Sequence, residues 1–491
     1  QGRDKNAIAV LSKLLKLKPD SIDGHVMLGW VYHKTNRDAD AIRSYSTALK
    51  INPDSAKPHV GLGYSYLKQK QSELGIKHLK KAVELRPDSS KAYVALAWGY
   101  QELRDYPQAV KVYKKASELQ PDDFDTQYGL AWALSHERNH KGAIHALQKS
   151  ITLNPDYAHA HHALGWEYYY LGQYQDAVAS FKEAIRLNPK DAESYFGLGC
   201  AYKALKQKQE AIETYQTAIR MKPDFSRAYV ALGWEYQIQD RHDEAIKAFK
   251  EAIRISPDWE EGYFGLGCVY WKQEKYQEAL NIYQQLVGRI PKSYHGYHAI
   301  GMAQEKLDNT KPAIDAYQTV LKLKPDHVDT QVRLAYAYNR TGNNQEAIAT
   351  LKKALANDPN NARAHYGIGW LHGNAGRYKD SVIGYKRAVQ LKPENPYYHY
   401  ALGWVYGKLR LYQESAKEYK EALRLKPDYE AAREALDWNR ERLKGAETKK
   451  NLKENTVRTD FNEEILGDPF QPTGTSGARI GRINETTALR Q

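Results

Sequence analysis

Apolar, small and polar residues recur along this chain in a template of 34 residues whose apolar members fall at helical spacing. Prolines punctuate the template at Pro19, Pro53, Pro87, Pro121, Pro155, Pro189, Pro223, Pro257, Pro291, Pro325, Pro359, Pro393 and Pro427, with no insertion between them. A period that strict is the mark of a repeat architecture. Ten residues after most of these prolines stands a glycine, as at Gly29, Gly165 and Gly403, or an alanine, as at Ala97, Ala131 and Ala335. Leu or Ile precedes this small residue and Tyr often follows three positions on, which predicts a close helix crossing ringed by larger side chains. Further along, Ala41, Ala177, Ala245 and their equivalents are followed four residues later by Tyr, Leu or Phe, so both lie on one face of a second helix.

Each repeat therefore predicts a helix A, a short turn and a helix B. The proline ends helix B because it lacks an amide donor and clashes with the preceding turn. An aspartate follows nine of the thirteen prolines, as at Asp54 and Asp258, and is expected to cap the next helix A. Twelve full units, covering residues 22–429, begin at Ile22, Ala56, Ser90, Phe124, Ala158, Ala192, Ser226, Glu260, Tyr294, Val328, Ala362 and Pro396. Residues 1–21 supply a helix B alone. Residues 430–445 supply a capping helix whose outward positions, Asp437 and Arg440, are polar, as the end of a solenoid requires. Residues 446–491 lack the period and predict an extended tail. Apolar residues Phe461, Ile465, Leu466, Phe470, Ile480 and Ile483 are spaced along it as candidate contacts.

The stretch AYVALGWEYQIQDRHDEAIKAFKEAIRISPD, residues 228–258, resembles the tetratricopeptide repeat in its Leu-Gly, Tyr, Ala, aromatic, Ala and Pro landmarks. The resemblance covers residues 1 to about 445. It implies an all-α, right-handed superhelical solenoid of helix-turn-helix repeats, with helices A lining a concave groove. Members that grip acidic chaperone termini carry Lys and Asn on the groove registers, and this chain has Val, Phe, Tyr, His and Trp there. Gly and Ala also stand where the glycosyltransferase-linked members carry an Asn ladder.

In this register the residue after the small one faces the groove. There stand Trp30, Tyr64, Trp98, Trp132, Trp166, Cys200, Trp234, Cys268, Met302, Tyr336, Trp370 and Trp404. Two residues before the small one come Gly61, Gly129, Gly197, Gly265 and Gly367. Helical side chains lean toward the N-terminus, so each Trp is expected to lie over that bare spot and offer a flat face to a proline, a sugar ring or an apolar peptide. The competing reading is that each Trp fills the space between neighbouring A helices.

Composition changes the picture little. The repeat accounts for most of the 38 Tyr, and 42% hydrophobic with 27% charged residues describes a folded soluble chain. No run approaches the roughly 18 apolar residues of a membrane span. The start at Gln1 fits both an exported form that has lost a signal peptide and a fragment. The net charge of +13 lies mainly on helix B runs such as SFKEAIRL, a solvated face. Lys34, Lys68, Lys272, Lys306, Arg340 and Lys408 make the groove only mildly basic, and a second groove register mixes Asp23, Lys57, Asp125, Glu193, Arg227, Asp329 and Arg363. Nucleic acid is disfavoured as a partner.

Candidate chemistry is sparse. His136, His159, His161 and His162 cluster, but no Cys or carboxylate completes a tetrahedral metal set. Cys200 and Cys268 occupy equivalent registers two repeats apart, beyond the reach of a disulfide. Asn339 and Asn484 fit the N-glycan acceptor pattern. No cofactor loop, nucleophile elbow or paired-carboxylate motif stands apart from the repeat. The sequence thus predicts a non-enzymatic scaffold that binds a protein or peptide along an aromatic groove. The alternative is a structural protein that assembles head to tail into a filament, its tail entering the groove of a neighbouring copy.

Overall fold

The computed structural model describes residues 2–449. Among them are 26 α-helices and no strand. The contacts divide the chain into two units, the first ending at Ala228 and the second starting at Tyr229.

In the first unit α1 (Gly2–Leu17) packs on the first of six hairpins. These are α2 (Ile22–Lys34) with α3 (Asp38–Ile51), α4 (Ala56–Lys68) with α5 (Ser72–Leu85), and α6 (Ser90–Glu102) with α7 (Tyr106–Leu119). There follow α8 (Phe124–His136) with α9 (His140–Leu153), α10 (Ala158–Tyr170) with α11 (Tyr174–Leu187), and α12 (Ala192–Ala204) with α13 (Lys208–Met221). The unit boundary falls inside α14 (Ser226–Ile238), which is followed by α15 (His242–Ile255). The second unit continues with α16 (Glu260–Lys272) and α17 (Tyr276–Arg289), α18 (Tyr294–Lys306) and α19 (Thr310–Leu323), and α20 (Val328–Arg340) and α21 (Asn344–Asn357). It ends with α22 (Ala362–Asn374) and α23 (Tyr378–Leu391), α24 (Pro396–Lys408) and α25 (Tyr412–Leu425), and the single α26 (Glu430–Lys449). Within each unit the substantial contacts join a helix to the next helix or the next but one. The fold is an all-α helical repeat solenoid. Among the described residues no helix is long and apolar enough to cross a membrane.

The turn between the two helices of a repeat has one recurring form. Asn36, Lys70, Arg104, Arg138 and Lys206 in the first unit adopt a left-handed backbone, with φ between 57° and 62°. The amide of the next residue reaches back to the helix, as Arg37 N–H donates to Tyr32 O at 2.8 Å and Gln71 N–H to Tyr66 O at 2.9 Å. This is the Schellman closure, which satisfies carbonyls the helix end leaves open. A non-glycine residue in that backbone costs roughly 1 kcal/mol, a cost offset by the closure itself.

Helix B ends differently. Asn52, before Pro53, is turned out to an extended backbone (φ −140°, ψ 102°), as the proline ring requires of its predecessor. The aspartates expected to cap helix A stand one residue too early. Asp54 and Asp258 lie in the turn, and the N-cap positions are Ser55 and Trp259. Asp258 instead accepts from Arg289 Nε at 2.8 Å. Side-chain caps come from other residues, such as Ser21 on Gly24 N–H and Asn361 on Ala364 N–H, both at 3.1 Å.

The core of each repeat is built on helix B. Ala41 and Ala48 flank the buried Tyr45, and Ala177 and Ala184 flank Phe181, which is fully enclosed. These rings explain the glycines of helix A. A Cβ on Gly165 would meet Phe181 at 2.7 Å and one on Gly197, in the next repeat, at 2.5 Å. Tyr45 stands in the same way against Gly29 and Gly61. The bare spots expected to seat tryptophans are filled by the buried aromatic of helix B, because that ring has nowhere else to go between two stacked repeats.

Candidate functional site

The residues of the Trp register divide by exposure. In the first unit Trp30 is 58% exposed and Trp132 38%, while Tyr64, Trp98 and Trp166 are half-buried. In the second unit Trp234, Trp370 and Trp404 are half-buried, and Tyr336 is 5% exposed. Tyr336 therefore offers no face to a ligand. Its hydroxyl donates to the Arg363 carbonyl at 2.8 Å, pinning α20 to α22. Cys200 is buried and Cys268 half-buried, and neither takes part in a disulfide. The tail candidates Phe461, Ile465, Leu466, Phe470, Ile480 and Ile483 lie outside the described residues.

The exposed Trp faces are not bare. Lys34 Nζ lies 5.6 Å over the Trp30 ring, Lys408 Nζ 5.4 Å over Trp404, and His136 stacks on Trp132 with centroids 3.7 Å apart. Tyr170 stacks on Trp166 at 6.1 Å. In each pair the covering residue stands four positions after the tryptophan, the spacing that brings helical side chains face to face. The signal was present in the sequence as a second register, and the expectation that each Trp points back along its helix concealed it.

One concavity opens beside this register. It holds about 480 Å³ between α2 and α4 and is lined by Val26, Met27, Trp30, Val60, Gly61 and Tyr64. Lys57 and His33 stand among its lining residues, and Lys57 Nζ pairs with Asp23 at 3.5 Å. That pair joins the second groove register across successive repeats. Arg227 pairs with Glu193 at 2.9 Å within the first unit, and Arg363 with Asp329 at 3.0 Å within the second. Opposite charges on neighbouring repeats thus neutralise one another along this edge.

In the second unit one residue breaks the small-residue pattern. Arg333 occupies the register of Gly61, Gly197 and Gly367. Its guanidinium donates to Asp329 and to Glu305, both at 3.0 Å, and its side chain is only 15% exposed. Burial would raise the Asp329 carboxyl, but the His298 bond and the charges of Arg333 and Arg363 hold it well below the usual carboxylate range. His298 and His327 both meet Thr330 Oγ1 at 2.7 Å, and burial with the nearby His298 pushes His327 down to about 4. The departure of Arg333 from Gly or Ala was legible, and only the packing of three repeats shows what it holds.

The clustered histidines are drawn apart by separate partners. His161 Nε2 meets the Pro155 carbonyl at 2.9 Å and His136 Nδ1 the Trp132 carbonyl at 2.9 Å. His162 joins a Ser-His-Asp grouping that runs in the wrong direction for catalysis. Trp166 Nε1–H donates to His162 Nε2 at 3.2 Å, so the ring proton sits on Nδ1 and is given to Ser194 Oγ at 2.8 Å. Ser194 in turn donates to Asp191. A serine nucleophile needs the imidazole to accept its proton, and here the imidazole supplies one. Burial also lowers the His162 pKa. Among the described residues no group of three His, Cys, Asp or Glu side chains is arranged around a metal position.

Models described as tetratricopeptide repeat match residues 94–158, 162–224 and 264–328, residues 306–371 and 340–405, residues 396–429 and residues 56–89. A model described as TPR repeat matches residues 29–70 and 233–274. No curated protein sequence matches the chain. Among solved structures, Cut9-Hcn1, a hetero-tetramer of the APC/C, is similar at 14% identity over 89% of this chain and 93% of its own, with a TM-score of 0.41. MamA is similar at 30% identity over 33% of this chain and 95% of its own, with a TM-score of 0.32. YrrB, described as a TPR protein with an unusual peptide-binding site, is similar at 23% identity over 40% of this chain and 97% of its own, with a TM-score of 0.33. The matched models, spread from residue 29 to residue 429 over a solenoid of paired helices, place the chain in the tetratricopeptide repeat family.

Proposed function

We propose that this chain is a non-enzymatic scaffold that binds an extended protein segment along the helix A face of its first unit. The observation that carries the reading is the concavity beside Trp30, whose walls are mainly apolar and whose largest ring is more than half open to water. A monomeric surface seldom leaves such a ring beside an unfilled apolar hollow without a use for it. Trp132 offers a second, partly exposed ring three repeats further along the same face, with His136 stacked on one side of it. Lys34 and His136 would swing aside or close over the bound segment. The repeat family supports the coarser reading of a protein-interaction scaffold, and the exposed tryptophans support the groove as its site.

The test is selection of peptides from a random display library on the full chain, followed by affinity measurement on purified peptides. Trp30→Ala should weaken the selected peptides by about 30-fold, the size of an aromatic anchor at an interface centre. Helicity should stay unchanged. Equal affinity for the variant would exclude this face.

A further inference from the structure

The geometry points to His59 and His78 as a two-nitrogen site for a divalent transition-metal ion of the Cu(II) or Ni(II) type, joining α4 to α5. Their Nδ1 atoms face each other at 2.9 Å. Two ligands each about 2.0–2.1 Å from one ion, with that separation, subtend roughly 90° at the metal. This is the angle between neighbouring ligands of a square-planar or octahedral ion, whereas a tetrahedral ion would need the nitrogens about 3.3 Å apart. A pair at roughly 90° suits copper or nickel once the bridging proton has left, and copper is also the tighter divalent binder of imidazole.

The orientation of His59 is that of a ligand. The Pro53 carbonyl acts on its ring to raise the pKa, against the effect of burial. At the same register His25, His365 and His399 each place Nε2 2.9–3.1 Å from the carbonyl of the proline six residues earlier. Turned in the same way, His59 would give Nε2–H to its own proline carbonyl and keep its lone pair on Nδ1, the second-shell arrangement that fixes metal-binding histidines. The chain shows independently that these two registers meet: in the repeat of α24 and α25 they are His399 and Glu418, 2.6 Å apart. His59 is 9% exposed, and the His78 ring lies flat on Tyr66, so neither ring is a freely turning surface group.

Without metal the two rings share one proton, on His78 Nδ1, donated to His59. On binding, the ion takes both Nδ1 lone pairs, His78 loses its Nδ1 proton, and its Nε2 takes one from solvent. Both rings stay neutral, no net proton is released, and waters fill the remaining coordination positions. Burial keeps both rings neutral near pH 7, with Lys81 acting on His59 and Lys77 and His59 acting on His78 in the same direction. Asp54 acts in the opposite sense on His59.

The experiment adds Cu(II) alone to the full chain at pH 7.5 and reads the pulsed EPR signature of coordinated imidazole together with the melting temperature. One equivalent should show two imidazole nitrogens and raise the midpoint by several degrees. Two variants test the assignment. In His78→Ser the new side chain is the one α3 and α11 carry at that register, as Ser44 and Ser180. In His59→Gln it is the one that, as Gln331, makes the same bond to a proline carbonyl at 2.8 Å. Each variant should fold, lose the two-imidazole signal and weaken Cu(II) at least about tenfold. A two-imidazole signal retained in both variants, or absent from the parent chain, overturns the proposal. If one variant fails to fold, the other decides.

Discussion

The Phe181 ring stands 2.5 Å from the point a Cβ on Gly197 would occupy, across the junction between one repeat and the next. The ring is fully buried and cannot retreat. Gly197→Ala should therefore force α12 away from α11 and cost about 1–3 kcal/mol, read as a lower urea midpoint. The contrasting site is Gly288, in the last turn of α17, where a Cβ meets nothing within 4 Å. There Gly→Ala should stabilise by roughly 0.5–1 kcal/mol, from helix propensity alone.

Tyr336 and Trp30 share a register and should respond in opposite ways. Tyr336→Ala removes a buried ring together with its hydroxyl bond to the Arg363 carbonyl, for a loss of about 3–5 kcal/mol. Trp30→Ala should change stability by less than about 1 kcal/mol, because more than half of the ring already faces water. Denaturant unfolding of the two variants side by side checks this.

Two histidine contacts at equivalent registers should give opposite pH dependence. His59 and His78 are depressed below the ordinary 6.5, by burial first, so their contribution is complete above that value and is lost as pH falls through the folded pKa values. For His399 burial alone would lower the pKa, but the bonds to Glu418 and to the Pro393 carbonyl raise it. Its contribution is complete below 6.5 and is lost as pH rises through the folded value. Hydrogen exchange from pH 5 to 8 should show α4 and α5 opening on the acid side and α24 and α25 on the alkaline side. His78→Ser should flatten the first trend and Glu418→Gln the second.

Arg333→Ala puts at that register the residue that Ala299 and Ala401 already supply, yet it should destabilise the second unit by about 2 kcal/mol. The loss comes from Glu305 and Asp329, left facing each other without the guanidinium, and is limited because Asp329 stays half open to water. Adding Glu305→Gln should recover part of the loss in a thermal melt.

The repeat, the helix pairing and the Trp register were legible from the sequence, because proline, the small residue and the Leu before it act locally on backbone and crossing distance. What register could not reveal is which of several neighbours fills a given space. Gly61 and Gly197, expected to seat tryptophan, seat Tyr45 and Phe181 instead, since a buried ring on helix B competes for the same volume and is the more enclosed. Trp132, expected to offer a flat face, carries His136 on one side. Asp54 missed the cap position by one residue, because the chain needs that residue to complete the turn after Pro53.

The restriction of contacts to a helix and its next two neighbours has a consequence for how a partner would be held. Trp30 and Trp132 lie three repeats apart, and the repeats between them pack mainly on their neighbours, so the two rings share no direct contact. The two rings are then separate footholds. A segment long enough to reach both would gain by tethering, through the raised effective concentration of its second end once the first is seated. Shortening such a segment until it spans only one ring should cost avidity abruptly, with neither foothold weakened in itself.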